Sequence, residues 1–178
     1  MYPEIERFLL TVEPDESFIS LQKKLSNEIK NKYFSKDLFI EICRWKSTRK
    51  ITLQNKNSTE KINVVMSQAF NKLHGDKKRI DTLCTLDGVA VPTASAFLTM
   101  FDSNRYGVID LHAWQVLHRM KIVTKKPSGK SLSTRDYIAY LNQIRAIATN
   151  LNVTPRLVDI SLMKENQRIE GRSSSSCA

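Results

Sequence analysis

Apolar side chains recur along most of this chain at spacings of three and four, the period that gathers them on one face of an α-helix. Phe18, Leu21, Leu25 and Ile29 mark one such face, with Glu16 near its start, and predict a helix from about residue 14 to about residue 34. Leu38, Phe39, Ile42, Cys43 and Trp45 mark the next, which Ser35 is placed to cap. Behind Ser58 come Ile62, Val65, Met66, Ala69, Phe70 and Leu73, and His74-Gly75 ends that run. Asp76 is placed to cap a helix over residues 77–85, and small and apolar residues form another over 93–101. Pro92 suits the first turn of that helix, because its missing N–H would have had no partner there. Asp110 stands at the head of a further helix. Tyr137, Ile138, Leu141, Ile144, Ile147 and Ala148 share a face behind Ser133 or Thr134, and Thr154-Pro155 opens a last helix over about 156–164. Residues 3–10 form a short helix that docks on the core. No stretch alternates with the period of two that a half-buried strand needs, so the fold class is all-α, with eight or nine helices.

Between these runs lie segments of a different character. Residues 44–57, RWKSTRKITLQNKN, carry five basic residues and several amides, and read as a basic loop with a short extended piece over 50–53. Such a run is either a solvated face or a set of phosphate contacts, with Lys46, Arg49 and Lys50 as the candidates. Residues 121–131 form a Lys, Pro and Gly loop. Residues 169–178, which include four consecutive serines, read as a disordered tail. Residues 1–168 then make a single helical domain, in which a helix, a hairpin and a helix occupy about 77–101.

Composition narrows the function classes. At 178 residues the chain can bury an ordinary core. No run of about 18 apolar residues marks a membrane span, and the first residues lack the layout of a signal peptide. The three cysteines, Cys43, Cys84 and Cys177, are odd in number and widely spaced. A reducing, cytoplasmic setting follows as an expectation, with Cys43 and Cys84 as small core residues and no structural zinc or iron–sulfur site. The net charge of +10, from 28 basic and 18 acidic residues, favours polyanions as partners, nucleic acid first and an anionic membrane surface second.

Residues 83–119 concentrate the chemistry. An apolar run ends at Leu86, turns through Asp87-Gly88-Val89-Ala90 and restarts as a helix of small residues; after a polar loop, Tyr106-Gly107-Val108-Ile109 leads to Asp110. Gly88 supplies the backbone freedom for the turn. The stretch places a nest of backbone N–H groups and a carboxylate at two helix N-termini that are close in sequence, an arrangement suited to a phosphate and to a reacting centre.

LDGVAVPTASAFL (86–98), followed by VIDLHAWQVL (108–117), resembles the helix-hairpin-helix DNA glycosylase superfamily. Leu86, Gly88, Val89, Thr93 and Ala94 match that family's hairpin, and Val108, Ile109 and Asp110 match its approach to an essential aspartate. Asp110-Leu111-His112-Ala113-Trp114 is similar to the 8-oxoguanine glycosylase branch. Asp87 stands where the family usually has Pro, and Ala90 where it has a second Gly. Pro92 stands where bifunctional members carry their lysine, and no lysine lies between Lys78 and Lys121. The resemblance implies a two-lobed all-α fold and a monofunctional glycosylase acting without cofactor or metal, as a monomer, on double-stranded DNA with a damaged or modified base. It implies Asp110 as the catalytic carboxylate, and backbone contacts to DNA near Gly88, Ala90 and Thr93.

Each of these residues has a plainer role available. Asp is among the favoured N-caps, so Asp110 can serve as a cap, as a catalyst or as both. His112 lies about two hundred degrees around the helix from Asp110, which suits a phosphate contact or a supporting role better than protonation of a leaving base; a satisfied interfacial histidine is equally consistent. Trp114 reads as core. Trp45, Tyr2 and Tyr106 could stack on a base but read as packing. Two rival functions stand beside the enzyme: a non-catalytic helix-hairpin-helix DNA-binding protein, and an interaction protein without DNA affinity.

Overall fold

Most of the helices begin where side-chain oxygens are placed to cap them. The computed structural model describes residues 2–9 and 15–175, and within them ten α-helices and no strand. These are α1 (Pro3–Leu9), α2 (Glu16–Asn31), α3 (Lys36–Lys46), α4 (Ile51–Gln54), α5 (Thr59–Ala69), α6 (Asp76–Leu83), α7 (Val91–Phe101), α8 (Leu111–Arg119), α9 (Thr134–Leu151) and α10 (Pro155–Ser175). Asp15, Ser35, Ser58, Asp110 and Ser133 each accept a hydrogen bond from a backbone N–H of the first turn they precede. Each satisfies a donor that the helix itself cannot. No described helix is long and apolar enough to cross a membrane.

The chain divides into two compact units, Pro14–Asp102 and Met1–Glu13 with Ser103–Ala178, where the sequence suggested a single helical domain. In the first, α7 is the central element. Every residue from Val91 to Met100 except Pro92 is buried, because Thr93, Ala94, Ser95 and Ala96 are small enough for neighbouring helices to approach. Two of its hydroxyls are satisfied within the helix, Ser95 donating to the Pro92 carbonyl and Thr99 to that of Ser95. Phe39 of α3 stacks on Phe97 at 5.5 Å, and Phe70 on Phe101 at 4.9 Å. The buried Arg79 lies over the Phe101 ring and donates to the carbonyls of Ala69 and His74, which end α5 and the loop after it.

In the second unit α8, α9 and α10 pack together, with Ile5 and Leu9 of α1 buried. A reciprocal pair, Ser133 with Asp136, opens α9, and Lys126 bonds the same carboxylate at 2.6 Å. Trp114 is core, as the sequence suggested, and its ring N–H donates to the carbonyls of Lys125 and Lys126, fixing the 121–131 loop.

Several sequence-based boundaries shift for identifiable reasons. Lys32 adopts a left-handed conformation (φ 53°) that ends α2 at Asn31, short of residue 34. The end of α5 at Ala69 leaves Leu73 91% exposed and outside the helix. Gly75, not Asp76, is the N-cap of α6. Residues 50–53 are helical rather than extended. Ser47 caps a 3-10 turn over Thr48–Lys50 that runs into α4, and no strand among the described residues lies there to hold an extended piece. The last helix passes residue 164 and runs through residues 169–175, which the sequence assigned to a tail. Asn166 and Glu170 bond to α8 and its neighbours, and tertiary packing overrides the weak propensity of that segment. Residues 176–178 of that expected tail, with Cys177, lie outside the described residues, as do residues 10–14.

Candidate DNA-contacting hairpin and carboxylate

The hairpin joins α6 to α7 in the unit Pro14–Asp102. Gly88 has φ +74°, the conformation that only glycine adopts without strain. A second reason for glycine there was not visible in the sequence. A Cβ at position 88 would lie 2.9 Å from Leu53 Cβ and from Gln54 Cγ, so the turn is packed directly on α4. Three side chains of the segment after α3 and of α5 then fix it. Asn57, fully buried, accepts from the Asp87 N–H at 2.9 Å and donates to the carbonyls of Asp87 at 3.0 Å and Gln54 at 2.9 Å. Gln54 donates to the Gly88 carbonyl at 3.1 Å, while its Oε1 is buried without a partner among the described residues. Lys61 pairs with the Asp87 carboxylate at 2.7 Å.

The basic stretch and the hairpin, read separately from the sequence, thus belong to one assembly. Arg49 and Lys50 are exposed on the turn that leads into α4, and Lys46 is half-buried at the end of α3. Ala90 is exposed and caps α7 with no side-chain bond of its own, whereas Thr93 is buried with the packed residues of α7. Trp45 is half-buried against Phe18 and donates to Ser17 Oγ at 3.0 Å.

Asp110 belongs to the other unit, and its approach is built differently. Tyr106, Gly107, Val108 and Ile109 are all buried. Tyr137 and Tyr140 of α9, both fully buried, donate their hydroxyls to the carbonyls of Gly107 (3.3 Å) and Val108 (3.1 Å). Asp159 of α10, 3% exposed, accepts the Val108 N–H at 2.7 Å with one oxygen and pairs with Arg156 at 2.6 Å with the other. Space is tight at Gly107, where a Cβ would come within 2.5 Å of Ile144 Cδ1, 3.0 Å of Asp159 Oδ2 and 3.1 Å of the Pro155 carbonyl oxygen, so the Ile144 end would have to shift and the other two to give slightly. The segment delivers Asp110, half-buried, to the head of α8, where Oδ1 accepts the Ala113 N–H at 2.9 Å. Tyr140 is pushed well above the ordinary phenol range by burial first, then by the nearby carboxylates of Asp159 and Asp110. Two acids therefore bear on one dry hydroxyl.

His112 points elsewhere. Its Nδ1 lies 2.8 Å from Asn166 Nδ2 and 3.5 Å from a Glu170 oxygen. Asn166, fully buried, also contacts Gln115 and Arg119, so His112 is part of a polar seam between α8 and α10. A cavity of about 620 Å³ between α1, α8 and α10, lined in part by Arg7, Phe8, Arg119 and Lys164, includes none of the residues singled out from the sequence. Burial pushes the Cys43 thiol up to about 12, in keeping with a core residue, and burial with Asp81 nearby raises that of half-buried Cys84 to about 11. The described residues contain no cluster of His, Cys, Asp and Glu that could hold a metal.

Sequence reasoning missed Asn57, Gln54, Lys61, Tyr140 and Asp159. The one available signal was Asp159 itself, an acid inside the apolar run Leu157-Val158-Asp159-Ile160. The chain matches no family model, no curated protein and no solved structure.

Proposed function

We propose that the protein is a monofunctional DNA glycosylase. In this reading the hairpin unit attaches duplex DNA through its backbone, and Asp110 of the other unit drives hydrolysis of the bond between a flipped base and its sugar. One observation carries the catalytic part: a buried segment, fixed by two tyrosine hydroxyls and a buried aspartate, presents Asp110 half-buried at a helix N-terminus. Departure of a base leaves positive charge on the sugar ring, and a fixed, half-buried carboxylate stabilises that charge or activates the incoming water. Flipping the base costs a few kcal/mol, less for a damaged or mispaired one, which supplies part of the selectivity. The resemblance of residues 86–98 and 108–117 to helix-hairpin-helix glycosylases supports the same reading.

A non-catalytic DNA-binding protein is the second reading, favoured by the hydrogen bond from Ala113 N–H that gives Asp110 an N-cap's work. Incubation with duplexes bearing oxidised, alkylated, deaminated or mismatched bases, followed by heating in alkali, separates the two. The enzyme produces breaks only after alkali. Asn caps as well as Asp but carries no charge, so Asp110→Asn should keep the melting temperature and slow excision at least about a hundredfold. Excision at the wild-type rate by Asp110→Asn removes the catalytic reading. Gel shifts without breaks on any duplex establish the binder.

A further inference from the structure

We propose that Lys61 is a DNA-phosphate contact of the hairpin, and that Asp87 holds it in place and is exchanged for phosphate when DNA binds. The inference rests on the reading of the hairpin as a DNA attachment and adds a residue and a partner exchange to it.

Asp87 raises a difficulty for that reading, since a carboxylate on a turn that meets phosphate is repelled by it. The structure resolves the difficulty locally. Asn57 bonds both the N–H and the carbonyl of Asp87, so the main chain of this residue is pinned inward. Its side chain is left outward, 54% exposed, against Lys61 Nζ at 2.7 Å. Gln54 adds one bond, to Gly88, with its own acceptor unpaired, which leaves Asn57 as the residue that sets the turn. A turn fixed before the ligand arrives loses little freedom on binding.

The Lys61–Asp87 pair is itself weak. Both side chains are about half exposed, and such a pair contributes between roughly zero and 1 kcal/mol. A phosphate diester offers the ammonium a partner of the same charge and similar oxygen geometry, and DNA presents many of them while releasing counterions. Lys61 lies on the first turn of α5, directly after the segment that packs on Gly88, and Arg49 and Lys50 stand exposed on the turn that leads into the same segment. The segment that packs on the hairpin is therefore flanked by cations on both sides in the chain, and one of them, Lys61, is neutralised within the protein.

The test is fluorescence anisotropy of the full chain on a labelled, undamaged DNA duplex across a salt series. Lys61→Gln should weaken binding and make the plot of log affinity against log salt shallower by about 0.9, the value for one phosphate contact. Asp87→Asn should tighten binding about two- to fivefold, because the competing partner is gone. Lys77→Gln removes a comparable exposed pair, with Asp81 on α6, and serves as the charge control that leaves the slope unchanged. Wild-type binding with an unaltered slope in Lys61→Gln overturns the assignment of Lys61 and leaves the hairpin reading standing. Unchanged or weaker binding by Asp87→Asn overturns the exchange. Failure of the wild type to bind duplex at low salt is a different result, which removes the hairpin reading and the inference with it.

Discussion

Two short non-helical stretches, 86–90 and 106–110, each lead into a helix N-terminus, and the chain fixes them by opposite means. Ala90 and Asp110 both have extended backbone, with ψ of 172° and 174°. The first stretch is held by side-chain amides and an exposed ion pair, with Asp87 and Ala90 left open to solvent. The second is buried from Tyr106 to Ile109 and is held by two phenols and a paired carboxylate. The difference fits the two tasks proposed. A turn that grips a strand must keep its backbone at the surface, whereas a carboxylate that stabilises developing charge gains from a dry and rigid mounting, where its field is less screened.

The largest effect should come from the dry side. Asp159→Ala would leave Arg156 without its buried counterion and the Val108 N–H without its acceptor. Breaking a buried pair in this way costs about 3–5 kcal/mol, and urea unfolding followed by circular dichroism would measure it. A loss below about 1 kcal/mol would mean that the approach to Asp110 is held by packing and the two tyrosine hydroxyls, without a material share from Asp159.

Gly88→Ala should cost less, about 2 kcal/mol. Forcing a non-glycine residue to φ +74° costs roughly 1–2 kcal/mol, and the new methyl must also displace Leu53 or Gln54, which lie 2.9 Å away. The same variant should weaken duplex binding at temperatures where it remains folded. Unchanged stability would show that α4 yields easily and that the hairpin is less fixed than its contacts imply.

The contrast also explains what the sequence could and could not disclose. Helix faces and caps were legible because they are local: Ser35, Ser58 and Ser133 each act within three residues of themselves. Gly88 was legible as a turn for the same reason. Its packing on α4 was not, because that contact spans 34 residues, and the amide that fixes the turn sits unmarked in the polar run Gln54-Asn55-Lys56-Asn57. Asp110 was found by motif. Tyr140 and Asp159 lie 32 and 51 residues from the backbone they hold, so only the tertiary fold could reveal them. The extended reading of residues 50–53 failed because local β-preference counts for little where no strand lies alongside.

The smallest effect at neutral pH is the one that separates the two mountings most cleanly. Tyr140→Phe deletes a single hydrogen bond to the Val108 carbonyl and should cost about 1 kcal/mol. Its dependence on pH carries the information. Burial, with Asp159 and Asp110 adding to it, raises the phenol well above its ordinary value in the folded chain, while in the unfolded chain it ionises near about 10. A folded value above the unfolded one means that the neutral hydroxyl's contribution is complete below about pH 10 and is lost as pH climbs from there towards the folded value. Phenylalanine cannot ionise, so the stability gap between wild type and variant should narrow above about pH 10, as read by urea unfolding at pH 8 and at pH 10.5. No such narrowing should accompany Gly88→Ala, since the hairpin is held chiefly by the side-chain amides of Asn57 and Gln54, which do not ionise, and otherwise by one exposed and weak pair. A gap that stays constant for Tyr140→Phe would show that the hydroxyl ionises as readily folded as unfolded, and the dry mounting of Asp110 would then be no drier than the hairpin it is contrasted with.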